Sequence, residues 1–407
     1  MSDTIITSRS ALVSWQSCQR RRWFEYEILN SAGSRGLEPR SLSLPMETGS
    51  GCHEIAGGLL AGGDALVVIE RAISGYMSLV CARGLDIGIE PDEVQTSPVV
   101  EEQCALIEAF GWSFLRVRLP AILAEYEVLS VEEEIPLEVS DGVVMQTRAD
   151  AVLRRRSDSR LFVYNLKTVS SPDDRWRAQW EVDMQLMTEP LAVERKLGEK
   201  VHGVIIDGFI KGVRVGVDDR LVECRGDKVA TQEIQRSRLL YGYSCPGDSN
   251  VPTLYDFAGT TKKGWSKFRT WQEGFVGKPS WMSPIQYWIG WLPEEEVAAC
   301  FVNEKSEKPL LPVVRNDEHV RRKLVQIMAT EHQIRSGRNM VEDGSTVSSR
   351  EDKLDGCFPQ NERSCVYPTR CPFYKACWEP IGELEQSGFY VPRVANHPLI
   401  TASTEEL

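Results

Sequence analysis

Three positions in this chain have the residue types and spacing to help cut a phosphodiester: Asp150, Asn165 and Lys167. An acidic side chain together with a main-chain carbonyl, here that of Leu166, can hold Mg²⁺ or Mn²⁺, hard ions that take oxygen ligands. Such an ion activates water and neutralises charge building at phosphorus, while a lysine orients that water. The chemistry needs these groups close together. Side chains in a strand alternate with period two, so Asn165 and Lys167 share a face if one strand carries both. By itself the pattern is weak, because an Asp or a Lys in a strand is commonly just solvated.

A second set is sulfur. Of eleven cysteines, Cys18, Cys52, Cys81, Cys104, Cys224, Cys245 and Cys300 are scattered and read mostly as small core residues. Cys357, Cys365, Cys371 and Cys377 instead crowd one segment, interleaved with Pro359, Pro368, Pro372, Phe373, Tyr374 and Trp378. Disulfides are a poor explanation in a reducing compartment. Thiolates at this spacing in a proline-containing loop can converge on one centre, as an iron–sulfur cluster or a Cys₄ zinc requires. The segment has no histidine, which disfavours a Cys₂His₂ site.

The elements that must position these groups can be read from periodicity and punctuation. Thr7 to Glu27 reads as a helix capped by Ser8 or Ser10, followed by a Gly/Ser/Pro-rich link through Pro45. A helix then opens at Gly49 with His53 one turn inside, and Gln103 to Tyr126 reads as another, broken at Pro120. Three strands are expected: Glu127 to Pro136, Gly142 to Arg154 with Asp150 late in it, and Leu161 to Thr168 after a turn at Ser157–Ser159. A helix from Trp176 to Glu194, interrupted at Pro190, precedes a buried strand from His202 to Ile210. Beyond it the signal weakens, with loops over Ser244 to Pro279, helices over Pro293 to Val302 and Asp317 to Ile334, and a polar, exposed stretch from Gly337 to Asp355. The segmentation that follows is 1–60, 61–125, 126–211, 212–355, 356–380 and an acidic tail, 381–407.

Lys and Arg number 47 against 59 Asp and Glu, a net charge of −12. That balance excludes a protein that coats nucleic acid through bulk charge, though it leaves room for a local basic groove. Arg20-Arg21-Arg22 and Arg154-Arg155-Arg156 are each expected to be a solvated face. At 42% hydrophobic and 26% charged residues, the chain is neither disordered nor fibrous. No apolar run is expected to span a membrane and no leader is evident, so the expected location is cytoplasmic. The chain has no Walker-type phosphate loop, so a helicase motor would have to be another chain.

Helix, three strands, helix, strand, with Asp150 and then Lys167 in adjacent strands, resembles the PD-(D/E)xK nuclease superfamily. More narrowly it resembles the RecB-like exonuclease branch, which includes AddB-type and CRISPR-associated iron–sulfur nucleases and phage relatives. Further matches are Ser8-Arg9-Ser10 and Cys18-Gln19-Arg20-Arg21-Arg22-Trp23 in the first helix, Gly49 and His53, Gln185, and Cys371-Pro372-Phe373-Tyr374-Lys375-Ala376-Cys377-Trp378.

The resemblance implies an α/β, restriction-endonuclease-like core, a central mixed sheet flanked by helices, with N-terminal helices and a C-terminal cysteine cluster. It implies a metal-dependent DNA nuclease acting on ends or single strands, in DNA repair or recombination. The metal ligands would be His53, Asp150 and the Leu166 carbonyl, with Lys167, Asn165 and Gln185 in the catalytic set. A structural 4Fe–4S cluster would be held by Cys18, Cys365, Cys371 and Cys377, with Cys357 a rival ligand because the gap from Cys365 to Cys371 is long. Partners would be DNA and a helicase or another recombination or CRISPR protein, with no membrane. Two departures stand out: Asn165 replaces the family's second acid, and Glu189 replaces a frequent tyrosine. Glu133, Glu134 or Glu181 could supply the missing carboxylate. The alternatives are a nuclease fold that lost catalysis at Asn165 and serves as a DNA-binding or assembly subunit, and a Cys₄-zinc adaptor.

Overall fold

A computed structural model describes residues 4–140, 142–169, 180, 183–210, 317–343, 349–366, 370–379 and 383–393. Glu181, Cys224, Cys245, Cys300, the loops over Ser244 to Pro279, the helix expected over Pro293 to Val302 and the tail beyond 393 lie outside the described residues. In chain order the elements are β1 (Ile5–Ser8), α1 (Arg9–Ser17), α2 (Gln19–Arg22) with a π turn (Trp23–Glu27), β2 (Leu37–Pro39), α3 (Leu44–Leu60), α4 (Ala65–Arg83), α5 (Pro98–Ser113) and α6 (Leu119–Glu125). Then come β3 (Tyr126–Val131), β4 (Glu134–Ser140), β5 (Val143–Arg148), β6 (Ala151–Arg155), β7 (Leu161–Val169), α7 (Gln185–Leu197) and β8 (Val201–Ile210). The C-terminal part holds α8 (Asp317–Glu342), α9 (Arg350–Cys357), α10 (Glu362–Val366), α11 (Tyr374–Trp378) and β9 (Tyr390–Pro392). This is a mixed α/β architecture, and the chain divides into two compact units.

One unit takes Leu42–Ile135 and Arg148–Asn316. Its sheet has the order β3-β6-β7-β8, antiparallel across the first three strands and parallel between β7 and β8. Alternation along β7 gives the sheet two covered faces. Tyr164 and Leu166 join the apolar core built with Ile55 and Leu59 of α3, Ile69 of α4 and Phe110 of α5. Asn165, one step away, faces α7 instead, where Glu189 accepts its amide. Burial on both faces explains why β8 reads as a nearly unbroken apolar run. The α7 helix continues through Pro190, contrary to the expected interruption. Pro190 lies near the N-terminal end, where the only helical carbonyl it leaves unserved is that of Leu186, and buried neighbours Leu186, Ala192 and Val193 hold the helix in place.

Two of the expected strands are each divided. Glu132, at φ +50°, separates β3 from β4, and Ala149-Asp150 separates β5 from β6. In each case the second or first half leaves for a different, three-stranded sheet of order β1-β5-β4. Asp150 therefore stands at the start of a strand and not late in one. The helix carrying His53 begins at Leu44 with Pro45 in its first turn, so His53 lies mid-helix and the link is shorter than expected. Helix α4 also departs from expectation: its mean hydropathy of 1.5 and its length are enough for a membrane span. Val68, Ile69, Ala72, Tyr76 and Val80 are buried in this unit's core, and Glu70 and Arg71 interrupt the run.

The other unit takes Met1–Ser41, Pro136–Thr147 and Asp317–Leu407. Ser8 caps α1 by accepting from Ala11 N, as expected. The unit's core stacks aromatics from both ends of the chain, with Phe24 on Phe373 at 5.4 Å and Phe373 on Tyr390 at 5.1 Å. The first arginine triplet is not a solvated face. Arg22 is buried and donates to Glu27 Oε1 from Nε and Nη2, at 3.0 and 2.9 Å, and to Glu331 Oε2 at 3.3 Å. Arg20, also buried, donates to the Phe358 carbonyl and pairs with Asp355. Guanidinium charge is tolerated there because acids on other elements neutralise it. The second triplet stays near the surface, Arg154 paired with Glu199 and Arg155 with Asp158.

Candidate metal centre

Strand register brings the oxygen ligands together. Val131 pairs with Ala151 across β3 and β6, and Ala151 pairs with Tyr164 across β6 and β7. Asp150 therefore sits between the end of β3 and the middle of β7, and bonds to both. Its carbonyl accepts from Glu132 N at 3.1 Å, and its carboxylate Oδ2 accepts from Leu166 N at 2.6 Å. In extended backbone the N–H and C=O of one residue leave on the same edge, so the Leu166 carbonyl leaves β7 on the edge that faces Asp150. From α3, His53 Nδ1 reaches Asp150 Oδ1 at 3.3 Å.

The third member is Glu132. Ligand atoms of His53, Glu132 and Asp150 all lie within 4.8 Å of one another, and all three residues are partly open to solvent. Glu132 is held in place: its left-handed backbone turns the side chain out of the β3 alternation, and Gly57 of α3 passes so close that a Cβ there would lie 3.2 Å from Glu132 Cγ. Arg148 Nε pairs with Glu132 Oε2 at 3.1 Å. Sequence reasoning misses Glu132, since a non-glycine residue at positive φ leaves no compositional signal. Of the three acids considered there, Glu133 pairs with Lys196, Glu134 opens β4, and Glu181 lies outside the described residues.

The charges fit a cation. Burial pushes the Asp150 carboxyl up, but the hydrogen bond and charge of His53, the charge of Lys167 and the Leu166 amide outweigh it and hold it below its ordinary value. Glu132 goes the other way: burial and the Asp150 carboxylate push it up against Arg148, His53 and Lys167. Two carboxylates and an imidazole around one point, with an unfavourable acid among them, suit Mn²⁺ or Mg²⁺. Lys167 acts electrostatically on Asp150 and Glu132 and has its Nζ 5.8 Å from the centroid of the Trp180 ring.

Asn165 and Gln185 are placed differently from expectation. Asn165 is fully buried, donates to Glu189 Oε2 at 2.8 Å, and accepts from Gln185 Nε2 at 2.9 Å. Gln185 also donates to Glu189 Oε1 at 2.7 Å. The Asn165 side-chain oxygen is thus engaged by Gln185. Glu189 is buried with amide donors, and desolvation raises its carboxyl to about 8 against the pull of Asn165, Lys167 and Gln185. On the opposite face Tyr164 donates to Asp207 Oδ2 at 2.7 Å, and Arg118 pairs with the same carboxylate.

In the other unit the cysteines gather. Cys18 ends α1 in extended backbone, Cys365 lies in α10 and Cys377 in α11. Cys371 N donates to the Cys365 carbonyl at 2.9 Å. Asn361 N donates to Cys18 Sγ at 3.4 Å, and Trp378 Nε1 donates to Cys365 Sγ at 3.5 Å. The thiols of Cys18, Cys365 and Cys371 act electrostatically on Cys377, which burial pushes up to about 12 against the charge of Arg20. Burial likewise raises Cys371, opposed by the Phe373 amide and Arg21. Cys357 lies beside Gly337 and, like Cys371 and Cys377, packs against the apolar core. Among the described residues His53, Glu132 and Asp150 are the one His/Cys/Asp/Glu group gathered within 4.8 Å, so no three of these thiols are that close. Around a single zinc, sulfurs at ~2.3 Å from the ion would be only ~3.8 Å apart.

Comparison of the sequence with models of known protein families and with curated proteins returns no match.

Proposed function

We propose that this chain is a metal-dependent DNA nuclease, end- or single-strand-acting, with a restriction-endonuclease-like core and a structural 4Fe–4S cluster. The observation that carries the reading is the convergence of His53, Glu132 and Asp150 beside Lys167, at the edge between two antiparallel strands. His53, Glu132 and Asp150 would hold Mg²⁺ or Mn²⁺, with the Leu166 carbonyl on the same edge. When bound, such an ion supplies Lewis acidity and neutralises charge at the scissile phosphate.

The chain's own residues do the rest. His53 and Lys167 keep Asp150 ionised and the Leu166 N–H aims it, Lys167 offers a cation to the phosphate or the attacking water, and Glu132 compensates for the acid missing at 165. In the cysteine cluster, buried thiols with raised pKa values become thiolates only beside a strongly cationic centre. The N–H donors to Cys18 and Cys365 and the nearby Arg20 and Arg21 suit a cluster carrying net negative charge.

The test is an end-labelled time course on single- and double-stranded DNA with anaerobically purified protein in Mg²⁺, Mn²⁺ or EDTA, beside Asp150→Ala and Lys167→Ala. The expected outcome is metal-dependent cleavage, lowered at least ~100-fold in both variants, as removal of a group acting on the transition state implies. Folded, iron-replete protein that binds DNA without cutting it would transfer the assignment to an inactivated subunit.

A further inference from the structure

A buried carboxyl group faces Asn165 across the helix–sheet interface. Asn165 of β7 and Glu189 of α7 are in direct contact, and Gln185, one helical turn before Glu189, bridges them. Each of the three side chains is bonded to the other two, and all three are buried. Among the described residues neither Lys nor Arg forms an ion pair with Glu189, so the ring holds one carboxyl group among amides.

We infer that Glu189 is a positioning residue for the site proposed above. By gripping Asn165 it fixes the β7 backbone on either side of Leu166, whose amide aims Asp150, and of Lys167 two residues on. The inference rests on that nuclease reading. It goes beyond it in assigning a task to a residue the resemblance leaves without one.

The ring makes an exacting test possible, because Asn and Asp, and Gln and Glu, have the same shapes. In Asn165→Asp alone, two carboxyls face each other where the amide donated at 2.8 Å. In Glu189→Gln alone, the new amide nitrogen meets a donor: Asn165 Nδ2 on one side or Gln185 Nε2 on the other. In the double variant every bond returns. Gln185 donates to the introduced aspartate and to the introduced glutamine's oxygen. That glutamine's nitrogen donates to the same aspartate, the polarity of one bond reversed.

The experiment compares the native chain, both single variants and the double variant for Mn²⁺ affinity by calorimetry, for thermal unfolding, and for cleavage at limiting Mn²⁺. Each single variant is expected to lose about tenfold in Mn²⁺ affinity and in cleavage, the scale of one broken buried hydrogen bond, and the double to recover to within about threefold. A double variant no better than the weaker single overturns the inference. So do single variants that unfold earlier while binding Mn²⁺ and cutting as well as the native chain, since the ring is then merely structural. If the native chain binds Mn²⁺ but cuts nothing, the nuclease reading falls, while the four Mn²⁺ affinities still decide whether Glu189 positions the site. No Mn²⁺ binding by the native chain overturns both.

Discussion

Replacing Glu132 by Gln should make the metal-free protein more stable and the metal-loaded protein less so. Glu132 and Asp150 present carboxylate oxygens within 4.8 Å. Two like charges at that separation repel by ~3.5 kcal/mol at an effective dielectric of ~20. Arg148 at 3.1 Å, His53 and Lys167 offset much of this, yet the Glu132 pKa stays raised. Burial adds to the repulsion from Asp150, so without a cation the ionised form of Glu132 is disfavoured in the native state. The sign follows from linkage: a carboxyl raised on folding destabilises the native state once pH exceeds its unfolded value of 4.5. The penalty grows until the folded group has also ionised. Glu132→Gln removes it, so the unfolding temperature in EDTA at pH 7 is expected to rise by a few degrees.

Mn²⁺ reverses the order. At ~100 times its Kd a ligand stabilises the native chain by ~2.7 kcal/mol, and the variant, with one ligand fewer, loses most of that. The assay is thermal unfolding of both proteins in EDTA and across a Mn²⁺ titration. Crossing of the two curves is the expected result. A variant less stable than the native chain by the same margin with and without Mn²⁺ would refute the reasoning, since Glu132 would then be an ordinary partner of Arg148.

Two further outcomes concern the other unit. Cys18→Ser and Cys371→Ser should lower iron content and absorbance near ~400 nm in anaerobically purified protein, whereas Cys357→Ser should leave both unchanged; equal iron loss in all three would restore Cys357 as a ligand. Arg22→Met leaves Glu27 and Glu331 buried without their shared cation, and should cost about 3–5 kcal/mol in chemical denaturation; a loss below ~1 kcal/mol would mean that Arg338 and Thr7 satisfy those acids alone.

Local chemistry determined much of this protein from sequence alone. The Ser157–Ser159 turn specified the β6–β7 hairpin, which fixed Asp150 opposite Lys167's strand, because turn residues at positive φ set register directly. Ser8 as a cap and His53 on a helix were legible for the same reason: each depends on neighbours in the chain. Tertiary structure alone decided what crosses between strands and helices. It divided two apparent strands between two sheets, turned Glu132 toward Asp150, buried Arg20 and Arg22 against acids far away in sequence, and closed the Asn165–Gln185–Glu189 ring. Alternation and charge along a sequence say which residues tolerate burial, but the partner that makes burial of a charge tolerable is set by register and packing between elements.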